Sequence, residues 1–483
     1  SDKSYSLNNM LPRNAFLGAD WQYQNVQQTS VNVTFNHQFS QRWTLNSTAS
    51  FQSYTKDYYS TERVQWEYVS NRLRWDRPLN KTFNEQNYTS LQVNLNGEFN
   101  TGKINHKVLI GTDGDYGIQN NYTYTNPTKY GTNGSTTNGF VYLDDPSSWA
   151  GGAMPDASLK ERTRIPTQRF GIYAQDFISL TKQLKVLAGL RWSYIETMTN
   201  TTNNFLNNDG DIDKANTSIS DRAFSPKAGL VYIPNDNLSV FATYTNSFVQ
   251  NTGQDIYFQS LKPTTIDQYE VGIKNNFWNN ALAVNLTGYQ IIYNNFYQTA
   301  PFKANGDANS DAFFKEFAGK MRSRGVELDI TGNPIAGLSI IGGFSYNHSV
   351  YTETPDTFGY VENQRLVRTP ATTANASVFY TFQNFAKGLK FGASAYYIGN
   401  RIAGWNDTKT GSNSLQARNG VSRMFDLKDY TTVALSVGYE WKKFMIQGRV
   451  GNLFDVENYN VHENYSVNPI TPRNYYVTVT YKL

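Results

Sequence analysis

Apolar and polar residues alternate one for one along most of this chain, and that confines it to strands. The C-terminus shows the pattern: Tyr475, Val477, Val479, Tyr481 and Leu483 alternate with Tyr476, Thr478, Thr480 and Lys482. A period of two is that of a strand with one apolar and one polar face. The same reading sets Val31, Val33 and Phe35 against Asn32, Thr34 and Asn36. It sets Val433, Leu435, Val437, Tyr439 and Trp441 against Thr432, Ala434, Ser436, Gly438 and Glu440. No stretch has the spacing of a convincing amphipathic helix, and no run approaches the roughly 18–20 apolar residues of a spanning helix. A closing strand this apolar is a sticky edge, which proteins in water usually blunt.

The solvent of the apolar faces follows from composition. Aromatics make up 15% of the residues, as 34 Tyr, 29 Phe and 9 Trp. In a transmembrane β-barrel, lipid-facing and lumen-facing residues cancel in any hydropathy window, so many aromatic strands hide inside a polar average. The expected fold is therefore all-β, an antiparallel transmembrane β-barrel. Charge is nearly balanced, 43 Lys+Arg against 39 Asp+Glu, so no nucleic acid or other polyanion is implied as a partner. With no Cys, disulfides and thiolate metal sites are excluded, and His37, His106, His348 and His462 stand at no ligand spacing. The opening SDKSYSLNNM has no apolar signal-peptide core.

Connections alternate between short and long. NTGK (100–103), IPNDN (233–237), FWNN (277–280) and EWKK (440–443) are short, whereas roughly 55–63, 119–165, 199–221, 352–365 and 403–424 are long and polar. Outer-membrane barrels have short periplasmic turns and long extracellular loops. On that assignment nine strands descend and eight ascend, 17 in all, one descending strand starting near residue 64. Bacterial single-chain barrels carry an even number. The last strand descends, which puts residues 1–24 in an extracellular loop and 25–483 in the barrel.

Several stretches resemble the barrel of TonB-dependent outer-membrane receptors, especially those for ferric siderophores. GNLFDVENY (451–459) followed by NPITPRNYYVTVTYKL (468–483) is similar to the family's closing pattern. QYEVGIKNNFWNNALAVNLTGYQIIYNNF (268–296) and RSRGVELDITGNPIAGLSIIGGFSY (322–346) resemble two of its hairpins. FSPKAGLVYIPNDNLSVFATYTNSF (224–248) and GIYAQDFISLTKQLKVLAGLRW (171–192) add two more, while LPRNAFLG (11–18) and INHKVLIGTD (104–113) resemble the ferric-hydroxamate branch. Such importers have 22 strands around a plugged lumen. The resemblance places the first strand here at the sixth position, so this sequence would supply strands 6–22 and leave the plug outside it.

The resemblance implies import of a ferric siderophore, energised by an inner-membrane TonB complex acting through the plug. The barrel would offer the cargo an aromatic, polar vestibule, since bulky chelates need flat apolar area and a few hydrogen bonds. Candidate ligand contacts are Tyr5, Tyr122, Tyr124, Trp149 and Trp405; the bland alternative is that they pack loops or form an interfacial girdle. Glu270, Lys274, Arg324, Glu327, Asp329 and Arg449 are expected to face the lumen, where charge is cheap, and to bond to a plug. NFLNNDGDID (204–213) is similar to a calcium loop, but with Gly210 at the sixth position Phe205 and Asn216 replace both essential carboxylates. A solvated loop is the better reading, and no protein-held metal or cofactor is expected. The closing strand, Tyr475 to Leu483, resembles the signal read by barrel-assembly machinery.

Other partners would be outer-membrane lipid, with the receptor a monomer in the bacterial outer membrane. Alternatives are an importer of a vitamin, peptide or glycan, or a passive pore or adhesin. An enzyme is disfavoured: no His is placed for the Ser-His pairing of phospholipase-type barrels.

Overall fold

The computed structural model describes residues 15–482 except 62–64, 71, 78, 126–139, 143, 150–151, 199–200, 206–211, 216–217, 252, 258, 260, 301–303, 305–313, 355–361, 364, 385, 404–424 and 464–465. Among the described residues the regular elements are all strands, apart from a one-turn 3-10 helix at Pro146–Trp149. The described strands outnumber the 17 expected, because loops carry short ribbons of their own. Tyr459–Glu463 pairs with Ser466–Pro469, and Arg401–Ala403 with Phe425–Leu427. The strand expected near residue 64 begins at Leu79, and residues 55–61, expected in a loop, extend the strand Trp43–Thr61. The wall strands outrun the bilayer: Leu79–Thr101 has 23 residues, where about 9–11 suffice to cross.

The chain divides into two compact units. The first comprises residues 1–96, 110–172 and 192–222. Its opening hairpin, Tyr23–Ser40 with Trp43–Thr61, pairs Val31 with Phe51, Val33 with Ala49 and Phe35 with Ser47. Val31, Val33, Phe35 and Phe51 are all exposed, as a face that meets lipid must be. The opposite face is polar: Asn46 donates to Asn36 at 2.5 Å and accepts from Asn96 at 2.8 Å. Beyond the wall, Gln65–Val69, Arg72–Asp76 and Phe140–Tyr142 form a separate three-stranded ribbon.

The second unit comprises residues 97–109, 173–191 and 223–483. From Ile219–Asn235 to Asn474–Tyr481 its long strands pair antiparallel, each with the next. Register carries one apolar face across the series. Leu435 stands opposite Val450, which stands opposite Tyr475, and Val437 is followed by Gly448 and Val477 in the same way. Val477 is 77% exposed, so the apolar face of the closing strand is turned out of the protein. The described partner of that strand is Phe444–Gly451. The other face holds charge and small residues. Lys390 and Lys482 both bond Glu440, and the Lys274 ammonium sits 5.3 Å from the Phe241 ring. Phe241 in turn lies over Gly272, where a Cβ would come within 2.5 Å of the ring.

This register corrects one reading. Glu270, Lys274, Glu327, Asp329 and Arg449 fall on the polar face as expected, but Arg324 does not. It shares the face of Val326, Leu328 and Ile330, two residues apart each time, and Val326 is exposed. Alternation governs side-chain direction in a strand, and charge alone does not.

Candidate functional site

The wall strands of the first unit end in a cluster of aromatic and charged side chains. Lys81 donates to Asp57 and to the Tyr23 hydroxyl, each at 2.5 Å. Its ammonium also lies 4.9 Å from the Tyr23 ring, 5.5 Å from Tyr124 and 5.7 Å from Tyr59. A cation desolvated among ring faces and paired to a carboxylate is well held. Beside it, the Tyr122 hydroxyl donates to Glu85 at 2.9 Å and its ring packs on Phe83 at 5.4 Å. Tyr59 is buried; its hydroxyl donates to the Pro155 carbonyl, and its ring meets Trp21.

Tyr122 and Tyr124 thus sit in a cation-and-aromatic cluster near the loop end, but their face is informative. Along Ile104–Thr125 they share the parity of Ile110 and Tyr116, which are exposed. Tyr23, Asp57 and Tyr59 share the parity of Val31 and Phe51 in their hairpin. The cluster therefore continues the outward face past the apolar band, where outward side chains are again free to be polar. The residues of opposite parity in these strands make a second set: Asn121 accepts from Asn84 and Gln119, both at 2.8 Å, and Asp115 bonds Arg169 at 2.9 Å.

Trp149 closes the 3-10 turn and is half-buried. Its indole N–H donates to the Tyr142 carbonyl at 2.8 Å, and its own carbonyl accepts from Arg77 at 2.6 Å. Arg77 is fully buried and also donates to Leu17. Nearby, Arg72 grips Asp144 through Nε and Nη2 at 2.9–3.3 Å and stacks on Tyr142. That guanidinium holds the Asp144 carboxyl below its ordinary range, and hydrogen bonds from Ser147 do the same for Asp145. Tyr5, Trp405, Leu483, Gly210 and Asn216 lie outside the described residues.

In the second unit the polar face carries hydrogen-bonded clusters. Asn347 donates to the Tyr289 hydroxyl at 2.8 Å and to Ser323 at 2.7 Å, and Ser349 joins them. Glu270 accepts from Gln268 and Thr243. Toward the loops, Arg401 is 3% exposed and donates to the carbonyls of Gly399, Lys428 and Tyr459 and to Asn458. Burial lowers its affinity for the proton. The Asn-Leu-Phe-Asp stretch is a similar tie. Asn452, in a left-handed conformation, bonds Val456 twice and Thr471 once, and Asp455 accepts from the Arg473 amide, fixing the entry to the last strand. Sequence reading missed Lys81, Glu85, Arg77 and Arg401, since no local pattern marks a residue whose partners are dozens of positions away. Among the described residues no group of three His, Cys, Asp or Glu could hold a metal ion.

Comparison with known proteins agrees with this architecture. Residues 2–453 match the family described as TonB dependent receptor-like, beta-barrel. The metal-pseudopaline receptor CntO of Pseudomonas aeruginosa is 24% identical over 475 residues, 97% of this chain and 61% of its own length. The catecholate siderophore receptor Fiu of Escherichia coli is 22% identical over 498 residues, covering 96% and 61%. The crystal structure of the closed form of Fiu superposes with a TM-score of 0.77 at 20% identity, over 97% of this chain and 65% of that one. The Pseudomonas aeruginosa receptor FpvA bound to pyoverdine gives 0.78 at 20% identity, covering 97% and 63%. The chain spans about 61% of the length of these curated relatives. With two-faced wall strands paired antiparallel and a family match over nearly its whole length, the chain belongs to the TonB-dependent receptors of the outer membrane and forms part of their β-barrel.

Proposed function

We propose that the intact protein imports a ferric siderophore. The observation that carries this is the family match over residues 2–453, joined to relatives whose names are those of siderophore and metal-chelate receptors. The two-faced strands support it: an apolar face suits lipid, and a hydrogen-bonding face with Tyr289, Asn347 and Ser323 suits a polar cargo path. In this reading the sequence supplies 17 of 22 wall strands, and a plug lies elsewhere in the protein. An inner-membrane TonB complex would act on that plug, and the barrel itself performs no catalytic step. Cargo contacts come from the inward face and from the loops. Tyr122 and Tyr124, tied to Glu85 and Lys81 on the outward face, brace the rim.

A second cargo reading has one specific support: CntO is named for metal-pseudopaline, so the chelated metal need not be iron. Uptake separates the two. Iron-starved cells lacking the gene would be offered radio-iron as hydroxamate, catecholate and citrate chelates, with radio-zinc and radio-nickel chelates in parallel. Loss of one ferric chelate, restored by the intact gene, supports the first reading. Loss confined to another metal selects the second. Unchanged uptake throughout overturns both.

A further inference from the structure

Four adjacent strands of the second unit carry a basic, groove-backed patch on the lipid-facing side. Register sets Tyr269, Gln290, Arg324 and His348 side by side in one row across these strands. The row beneath, toward the short turns, is Val271, Gly288, Val326 and Tyr346. Below that come Ile273, Leu286, Leu328 and Phe344, all apolar. The row of Arg324 is therefore where the outward face changes from apolar to polar, at the depth where an aromatic belt and lipid headgroups meet. Gly288 leaves a furrow in the face just beneath: a Cβ there would have no neighbour closer than 3.9 Å. The groove has a volume of about 470 Å³ and runs from Val271 and Val326 up to Arg324 and His348.

The nitrogen donors at its head are placed for an anion. Arg324 and His348 are exposed, and Arg322 follows on the same face one row higher, opposite Ile292 and Val350. The described bond of Arg324 is from Nε to Gln290 at 2.6 Å, which orients the guanidinium and leaves its two terminal nitrogens for a ligand. Asp267, two strands away in the upper row, is occupied by Tyr244, Asn246 and Asn294. We infer that this patch binds a phosphate-bearing lipid of the outer membrane. The phosphate is held by Arg324, with His348 and Arg322 beside it, and an acyl chain lies in the furrow at Gly288. Guanidinium matches phosphate through paired N–H donors, and a lipid offers a charged head above a chain in the order the rows require. The face is opposite to the one that serves cargo, so the inference stands apart from cargo identity.

The test is native mass spectrometry of the receptor purified from outer membranes, titrated with phosphatidylglycerol and with the matching uncharged diacylglycerol. The structure predicts retained phosphatidylglycerol adducts and weak diacylglycerol adducts. Arg324→Gln with His348→Gln should weaken phosphatidylglycerol roughly tenfold, the scale of one lost charge-assisted bond. Arg324→Lys should keep part of the affinity, Gly288→Leu should weaken both lipids, and Arg449→Gln, on the inward face, should change neither. Heat-modifiable mobility on a gel confirms that each variant is folded. Equal binding of the two lipids, or a double variant that binds like the native protein, overturns the assignment; so does loss of binding in Arg449→Gln alone.

Discussion

Lys81 and Arg401 are both cations set among tyrosines, one in each unit, and they solve the same problem differently. Arg401 is 3% exposed and spends its guanidinium on three backbone carbonyls and Asn458, with Tyr430 5.0 Å from its centre. It joins segments near 399, 428 and 458 that would otherwise leave carbonyls unpaired. Lys81 is paired to a carboxylate and a phenol, with its side chain 13% exposed, and Asp57 beside it is 37% exposed. The first is a tie, closed to anything else. The second is a rim cluster in which Asp57 still meets solvent. A cation with aromatic neighbours is thus not by itself a ligand site; what its partners leave open decides.

The largest effect should come from breaking the tie. Arg401→Ala strands four acceptors around a buried site and is expected to cost about 3 kcal/mol. It should appear as a lower temperature for loss of heat-modifiable mobility and as poor assembly into the outer membrane. A variant that assembles and melts like the native receptor would remove the distinction between the two cations. Next in size, Asn452→Ala deletes three hydrogen bonds at the turn before the last strand and should cost about 2 kcal/mol by the same measure.

Lys81→Met, which leaves Asp57 and Tyr23 without their shared partner, is expected to cost about 1–2 kcal/mol. Tyr122→Phe removes one bond to Glu85, worth up to about 1 kcal/mol, and should leave cargo affinity unchanged, as read by fluorescence quenching with the ferric chelate. A large loss of affinity in Tyr122→Phe would return that tyrosine to the cargo site and reverse the reading of its face.

The smallest effect is set by pH at the loop ion pair of Arg72 and Asp144. Asp144 has a depressed folded value, so its contribution is present above the unfolded carboxylate range and is lost as pH falls through the folded value. Proteolysis of the ribbon that the pair ties together, at Gln65–Val69, Arg72–Asp76, Phe140–Tyr142 and Pro146–Trp149, should therefore quicken below about pH 4 and in high salt. Asp144→Asn should abolish that pH step; an unchanged step would place its origin elsewhere.

Much of this was legible in the sequence. Alternation gave the all-β class, the two faces and most hairpins, because a period of two follows directly from strand geometry. The family resemblance added the closing motif, whose Asn452 and Asp455 turn out to build the last turn. One error of placement comes from setting alternation aside: Arg324 reads as a lumen charge by its type, although Val326, Leu328 and Ile330 share its parity. What could not be read was pairing at a distance. Arg77 meets residues 17 and 149, and Arg401 meets residue 459, and only the folded chain brings these together.

The central claim is that one face of each strand meets lipid and the other a watery interior. The chain has no cysteine, so single cysteines can be introduced without background. Val326→Cys and Val477→Cys should be paired with Glu327→Cys and Thr478→Cys, in the receptor within its native membrane. A water-soluble maleimide should modify Cys at 327 and 478 and spare 326 and 477, which only a lipid-soluble maleimide should reach. Equal labelling of neighbours, or the reverse pattern, would contradict the two-faced wall on which the whole account rests.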